Sequence, residues 1–200
     1  WVDTANNRFV PLKLVDTTLT DLVLDSRTTE IPGYTFNRCT SLQSITIPEG
    51  ITSIETYAFN DCYNVTKFDL PSSVTTLSNY CIAGFRLMTE FTVPDTVTNI
   101  GYGVFHDWES LTTLSLPFVG TTANPTSASS STIFGVIFGA TLVGNDDLFS
   151  KVTSYYNADD STTYYKPRSL TTVTIRGGKL MYGAFYGAGI KYLILDGVTS

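Results

Sequence analysis

The sequence predicts a β-rich solenoid in which short strands repeat along one axis. Proline recurs at a constant interval, at Pro48, Pro71, Pro94 and Pro117, whose numbers differ by 23 at each step. The apolar residues ahead of each proline recur at the same interval, with the spacing L-x-x-L-x-L. A period of about 20–29 residues with this spacing is typical of coils that stack their apolar columns into one continuous core.

The first three columns predict the main strand of each coil. Their members are Leu19, Leu42, Val65, Met88 and Leu111; Leu22, Ile45, Phe68, Phe91 and Leu114; and Leu24, Ile47, Leu70, Val93 and Leu116. Because side chains alternate along a strand, these residues face inward and the residues between them face solvent. Proline ends each strand, since it has no N–H to donate. With further coils starting at Leu170 and Ile190, we expect seven parallel strands in one continuous sheet.

Two more columns predict the rest of the coil. The first holds Ile31, Ile54, Leu77 and Ile100, and the second holds Phe36, Phe59, Ile82 and Phe105. The segment around Ile54 predicts a second short strand on the opposite wall. Residues 55–59 are too few for a stable helix and predict a tight 3₁₀-type turn. We therefore expect little α-helix.

The period divides the chain into four parts. Residues 1–18 form an N-terminal flank, in which residues 9–14 could fold back as a capping hairpin strand. Residues 19–117 form the regular repeats, and residues 170–200 form the last two coils. Residues 118–169 are an insertion within one coil, because the numbers of Leu111 and Leu170 differ by 59, which exceeds the period of 23 by 36. Residues 196–200 resemble the opening of another repeat, so we expect a truncated end and further repeats of the same chain as neighbours.

The insertion combines a Ser/Thr-rich loop with apolar and aromatic segments. The run 133–138 is apolar, and we expect it to pack back into the core. Tyr155–Tyr156 and Tyr164–Tyr165 flank a polar stretch, as the arms of a hairpin would. Because strand side chains alternate, we predict that at least two of these four rings are exposed and adjacent. The alternative is that the tyrosines pack onto the solenoid wall.

Composition and motifs exclude several classes of function. The net charge of −6 argues against nucleic acid as a partner, and there is no apolar stretch long enough for membrane insertion. His106 is the single histidine and falls on a turn that we expect to be exposed. The three cysteines, Cys39, Cys62 and Cys81, fall in core columns and are expected to be buried and reduced. The sequence therefore predicts no catalytic, metal or cofactor site.

The repeat resembles a known family. Ile47–Ile54 reads I-P-E-G-I-T-S-I and Tyr57–Cys62 reads Y-A-F-N-D-C. Both phrases resemble the BspA-like leucine-rich repeats, closely over residues 19–117 and more loosely over 170–200. The resemblance implies a right-handed leucine-rich coil and an extracellular or cell-surface location. Many members of the family resemble bacterial surface proteins that bind matrix proteins, cells or glycans. Phe85 and Trp108 depart from the family pattern, because they continue the column begun by Cys39 and Cys62.

These observations favour a non-enzymatic, adhesin-like binding module that recognises a protein or glycan. The alternative is a structural spacer or assembly unit of a larger surface protein or particle. Candidate ligand contacts are the hairpin tyrosines, Tyr192, and the charged residues of the outward strand columns: Tyr155, Tyr156, Tyr164, Tyr165, Tyr192, Lys67, Asp69 and Glu90. Lys67, Asp69 and Glu90 are interpreted as a local ion pair, with ligand contact as the alternative.

Overall fold

The computed structural model describes residues 18–142 and 146–199, and the backbone of two short N-terminal strands, Val2–Asp3 (β1) and Arg8–Phe9 (β2). These two strands pair antiparallel with each other. The predicted capping strand, residues 9–14, lies mostly outside the described residues.

Among the described residues, the main wall of the solenoid contains seven parallel strands, at the places that the period predicts. They are Asp21–Val23 (β3), Ser44–Thr46 (β4), Lys67–Asp69 (β6), Glu90–Thr92 (β8), Thr113–Leu116 (β10), Thr172–Ile175 (β13) and Tyr192–Leu195 (β14). The first coils pair in register, Leu22 with Ile45 and Ile45 with Phe68.

A second wall faces the first across the core. Its strands are Ser53–Ile54 (β5), Thr76–Leu77 (β7) and Asn99–Ile100 (β9), which pair in parallel. The turn that leaves this wall is closed by a bond from the Ala58 N–H to the Glu55 carbonyl, at 3.0 Å, as the short 3₁₀-type segment predicts. In the described part of the chain the helices are short 3₁₀ segments in the insertion, at Ser130–Thr132, Phe134–Ile137 and Asp146–Leu148.

The core lies between the walls and is built from the predicted columns. Ile31, Ile54 and Leu77 are buried, as are Phe36 and Phe59, whose rings stack with centroids 5.0 Å apart. That distance is close to the spacing of paired strands, about 4.7–4.9 Å. One ring per coil therefore fits the stack without disturbing the backbone.

The main wall is not one continuous sheet, and that prediction was wrong. It consists of a three-stranded sheet, β3-β4-β6, and a four-stranded sheet, β8-β10-β13-β14. The break coincides with a cluster of large side chains, Phe68, Phe85, Phe91, Phe105 and Trp108, which pack edge to face and stacked. The Phe68 and Phe91 ring centroids are 6.0 Å apart, wider than the spacing of paired strands, so the two rings on either side of the break do not stack at strand spacing.

The insertion completes the coil that it interrupts. Ile133, Phe134, Ile137 and Phe138 are buried in the core, in agreement with the apolar pattern of this run. The Phe105 N–H donates to the Ile137 carbonyl at 2.8 Å, and the Phe134 N–H donates to the Ala184 carbonyl at 2.7 Å. This run therefore occupies the turn position of a missing coil, between the coils that precede and follow it.

The rest of the insertion forms the hairpin that the tyrosine pairs predict. Phe149–Tyr155 (β11) pairs antiparallel with Ser161–Pro167 (β12), with Val152 opposite Tyr164. The hairpin docks through Tyr164, whose ring covers Gly135: a methyl group added there would lie 1.9 Å from the Tyr164 ring. Only glycine at position 135 leaves room for this contact.

Candidate functional site

A cleft of about 580 Å³ lies where the second wall meets the insertion. The wall contributes β7, β9 and the turns that follow them, and the insertion contributes the 3₁₀ helices and β12. The polar lining residues are Thr56, Thr76, Ser78, Asn79, Asn99, Tyr102, Thr121, Thr122, Ser130, Ser131, Thr162, Thr163 and Tyr164. None of the described residues that line the cleft carries a charge, so it is a neutral surface of hydroxyl and amide groups.

The repeat places the wall residues of the cleft. Ser53, Thr76, Asn99 and Thr122 follow one another at the period of the repeat, and their side chains alternate with the buried column that contains Leu77 and Ile100. A strand position that faces away from the core therefore recurs as a short uncharged polar residue. Leu77 and Ile100 form part of the cleft floor.

Several polar groups in the cleft have no protein partner. Among the described residues, the Thr56 and Thr76 hydroxyls neither donate nor accept a hydrogen bond. Asn99 accepts a bond from the Thr98 hydroxyl at 3.0 Å, and its amide nitrogen has no bond within the described part of the chain. These groups are free to bind a ligand.

The backbone of the wall, by contrast, is already paired. The Thr76 and Asn99 N–H groups donate to Thr52 and Thr75 carbonyls at 3.2 Å each. The Ile100 N–H donates to the Thr121 carbonyl at 3.0 Å, where the insertion begins to follow the wall. The wall of the cleft therefore offers side chains rather than a free strand edge.

Tyr102 and His106 form hydrogen bonds that hold the insertion against the repeats. The Tyr102 N–H donates to Asn79 Oδ1 at 2.9 Å, and the Tyr102 hydroxyl accepts a bond from the Ala140 N–H. His106 Nε2 lies 2.7 Å from the Thr141 carbonyl. The expectation that His106 is an exposed turn residue was wrong, because the insertion packs over it and leaves it half-buried.

A tyrosine ladder leads along the solenoid to the cleft. Tyr34, Tyr57 and Tyr80 stack with centroids 5.0 and 5.1 Å apart, and Tyr102 meets Tyr80 edge-on. All three stacked residues have positive φ, 61°, 57° and 54°. A non-glycine residue in this region is uncommon, and the stacked rings offset its cost.

The structure corrects the exposure expected for the hairpin tyrosines. Tyr155 is 42% exposed, whereas Tyr164 is 2% exposed and Tyr156 and Tyr165 are half-buried. Two exposed, adjacent rings were expected, and only Tyr155 qualifies. The reason is that the hairpin lies against the solenoid and buries the face that carries Tyr164. Ligand contact by any of the four tyrosines stays a prediction. Tyr192 is exposed on β14.

Lys67, Asp69 and Glu90 lie beside the break in the main wall. All three are exposed and line a groove of about 360 Å³ between β6 and β8. Within the described part of the chain they form no ion pair with one another or with other residues, so the interpretation as a local ion pair was wrong. Lys67 and Asp69 lie on β6, and Glu90 lies across the break on β8.

The buried carboxylate of Asp107 forms an ion pair with Arg86 that stabilises the fold. Asp107 is 4% exposed and its Oδ2 accepts bonds from Arg86 Nε and Nη2, at 2.9 and 2.6 Å. Burial raises the pKa of Asp107, and Arg86 opposes that shift. Asp107 also has a positive φ, in the same column as Arg38, Asp61 and Gly84. The pair links the turns of two neighbouring coils and leaves no room for a ligand beside it.

The cysteines are buried and free, as their columns predict. Cys62 Sγ lies 3.2 Å from the Phe36 carbonyl, and burial raises the pKa of Cys62 and Cys81. These thiols therefore stay protonated and belong to the core.

The sequence could have indicated the cleft through two features. The outward positions of the second wall are uncharged polar residues, and the column of Tyr34, Tyr57 and Tyr80 follows the period of the repeat. What the sequence does not reveal is that residues 121–140 return to the same wall, because that contact joins segments with no common periodicity.

A family model and one solved structure agree with the fold. The family model described as BspA type leucine rich repeat region matches residues 14–132 in six copies. A crystal structure of a leucine-rich repeat protein of T. pallidum is similar, with a TM-score of 0.56 and 14% identity over 96% of this chain and 86% of that chain. A leucine-rich repeat protein from Bacteroides ovatus gives a TM-score of 0.47 and 18% identity, over 90% of this chain and 56% of that chain. No curated protein matches the chain.

Among the described residues, no helix has both the length and the apolar character that crossing a lipid bilayer requires. The family model covers more than half of the chain, and the structure has the coil that this model describes. The chain belongs to the BspA-type leucine-rich repeat family.

Proposed function

We propose that this protein is a non-enzymatic binding module, extracellular or at the cell surface, and that the neutral cleft is its ligand site. The observation that carries the proposal is the cleft itself: a cavity of about 580 Å³ lined by free hydroxyl and amide groups. Small-molecule sites in proteins typically measure about 300–1,000 Å³ and fix a ligand with a few convergent polar groups.

The way the cleft is built supports a binding role. The interrupted coil exceeds the period of 23 by 36, and the ladder of strands does not require this extra length. Long insertions in compact domains are usually functional or disordered. The described part of this insertion is held against the repeats by Tyr164, Tyr102 and His106, and it forms one side of a cavity.

The proposal is tested by filling the cleft. Thr76 lies on β7 in the cleft wall, and Thr174 lies on β13, on the opposite wall and outside the cleft. Wild-type protein, Thr76→Trp and the matched control Thr174→Trp are screened on arrays of matrix proteins and glycans. We expect the wild type and the control to bind the same ligand, and Thr76→Trp to lose at least about tenfold in affinity, which corresponds to about 1.4 kcal/mol.

Equal binding by all three proteins would show that the cleft is not the site. A wild-type protein that binds nothing on either array would contradict the binding role. Circular dichroism and the unfolding midpoint of each variant establish that any loss of binding reflects the cleft rather than the fold.

A structural role is the second candidate, and one observation favours it. The last strand, β14, exposes apolar side chains on both of its faces, with Leu193 40% and Ile194 51% exposed. An apolar edge strand of this kind is a site for contact with a further coil of the same array or with another chain. A spacer or assembly unit would associate through this strand. Its association would survive Thr76→Trp and be lost in Ile194→Lys, which separates the two roles.

A further inference from the structure

We infer that the ligand of the cleft is a neutral saccharide. The inference rests on the proposed function and adds the chemical class of the ligand. It follows from three properties of the described cleft residues: their lack of charge, their hydroxyl and amide groups, and the paired backbone beneath them.

The absence of charged side chains argues against the ionic classes of ligand. Anionic groups are normally bound by Arg, Lys or clustered backbone N–H groups, and cationic groups by carboxylates or aromatic faces. Of the described residues that line the cleft, none is Arg, Lys, His, Asp or Glu. The net charge of −6 adds a further repulsion for anions such as sialylated or sulfated glycans.

The polar groups match a sugar better than an apolar molecule. A hydroxyl group both donates and accepts, and an amide offers two donors and an acceptor. A neutral saccharide carries hydroxyl groups around its ring and can satisfy Thr56, Thr76 and Asn99 together. An apolar ligand would bury these groups without partners, at a cost of about 1–3 kcal/mol for each.

Two partly exposed side chains supply the apolar part of sugar recognition. Val136 and the ring of Tyr102 lie among the lining residues, whereas the side chains of Leu77 and Ile100 point into the core beneath them. A pyranose ring has C–H groups on its faces, which can pack on apolar and aromatic side chains. Tyrosine combines an apolar ring with a polar end, which suits such a mixed surface.

The paired backbone argues against an extended peptide. Peptides often bind by adding a strand to a free sheet edge, through main-chain hydrogen bonds. Here the Thr76, Asn99 and Ile100 N–H groups are already bonded within the fold. Recognition therefore falls to side chains, and these have the groups that a saccharide needs.

Two nearly isosteric variants test the inference. Thr76→Val removes a free hydroxyl and keeps the shape of the side chain. Asn99→Asp removes the amide donor, keeps the acceptor for the Thr98 hydroxyl and adds a negative charge. Thr174→Val, on the opposite wall, is the matched control for Thr76→Val.

The probes are neutral oligosaccharides of hexoses and N-acetylhexosamines, with sialylated and sulfated forms of the same chains, measured by calorimetry. We expect a neutral member to bind and its charged form to bind more weakly. Thr76→Val should weaken binding about three- to tenfold, as the loss of one hydrogen bond implies, and Asn99→Asp should weaken it at least as much. Thr174→Val should have no effect.

Other results would overturn the inference. These are the absence of binding to every neutral saccharide, preference for the charged forms, tighter binding by Asn99→Asp, or equal binding by Thr76→Val and wild type. If Thr76→Trp abolishes binding to a protein ligand while no neutral saccharide binds, the cleft is a ligand site and only the saccharide class is wrong. If Thr76→Trp changes nothing, the proposed function fails as well.

Discussion

At the scale of the residue, side-chain size decides how closely neighbouring coils approach. Cys39 and Cys62 occupy one column, and Phe85 and Trp108 continue it. Where the column holds cysteine, the adjacent strands β4 and β6 pair in register. The coils that hold Phe85 and Trp108 also pair in register, through β8 and β10. The wall opens between β6 and β8, where the column changes from Cys62 to Phe85. Proteins pack their interiors densely, so this step from a small to a large side chain displaces the backbone.

Burial of tyrosine and cysteine side chains also makes the free energy of unfolding depend on pH in the alkaline range. Desolvation raises the pKa of Tyr80 from 10.0 to about 12, and it raises the pKa of Cys62 and Cys81 as well. In this pH range the unfolded chain loses these protons and the folded protein keeps them. The folded state binds more protons, so the free energy of unfolding falls as the pH rises from about 9 toward 12. Lys166 acts in the opposite direction, because burial lowers its pKa, but the raised groups outnumber it.

Urea unfolding between pH 8 and 12 measures this dependence. Tyr80→Phe keeps the ring of the tyrosine ladder and removes the ionisable hydroxyl. We expect the free energy of unfolding of this variant to fall less steeply than that of the wild type above about pH 10. Parallel curves for the two proteins would show that the Tyr80 hydroxyl does not take part.

At the scale of the element, the break in the main wall between β6 and β8 leaves backbone amide groups without partners. In the neighbouring coils, Thr66 and Thr112 N–H groups donate to the coil before, to Gln43 and Thr89 carbonyls at 2.9 and 2.8 Å. Within the described part of the chain, the equivalent N–H groups of Thr89 and Glu90 donate to no carbonyl. The groove between β6 and β8, called the Lys67–Glu90 groove here, is therefore bordered by unpaired strand edges.

Hydrogen exchange followed by NMR tests this description. We expect the Thr89 and Glu90 amides to exchange at least about tenfold faster than those of Thr66 and Thr112, because local opening governs exchange. Replacing Phe91 with leucine removes one ring from the stack and should slow the exchange of Thr89. Equal rates at all four amides in the wild type would mean that the sheet continues across the break.

A second element-scale prediction concerns the docking of the hairpin. In Gly135→Ala the added methyl group would overlap the Tyr164 ring, since the two would be 1.9 Å apart. We expect a loss of about 1–3 kcal/mol in the free energy of unfolding, the usual cost of overpacking a core. Gly177→Ala is the control, because its methyl group would meet a single carbonyl oxygen at 3.3 Å. Similar denaturant midpoints for the two variants would contradict the docking through Tyr164.

At the scale of the whole molecule, periodicity explains why most of the fold is readable from the sequence. Each column fixes one inward position in every coil, so Leu42, Ile54 and Phe59 locate strands and turns throughout the array. The break is less readable, because it depends on the summed volume of rings from different columns. The burial of Tyr164 depends on where the hairpin docks, which no local pattern specifies.

The candidate site follows the same division. The polar wall positions Thr76 and Asn99 come from the repeat, and the residues opposite them come from the insertion. The repeat pattern therefore predicts the wall side of the cleft. The other side forms only when the insertion packs against the wall, which the pattern does not predict. The boundaries of the four sequence segments stay predictions, as do all the candidate ligand contacts: Lys67, Asp69, Glu90, Tyr155, Tyr156, Tyr164, Tyr165 and Tyr192.

The most direct test of the neutral cleft as the ligand site is a hydrogen-exchange footprint of the bound protein. Exchange is measured by mass spectrometry with and without the neutral saccharide that binds most tightly in the panel. We predict protection of residues 76–79, 99–102 and 130–136, which border the cleft, and none of residues 66–69 and 89–92. Protection confined to the Lys67–Glu90 groove, or absent from all three cleft segments, would contradict this assignment.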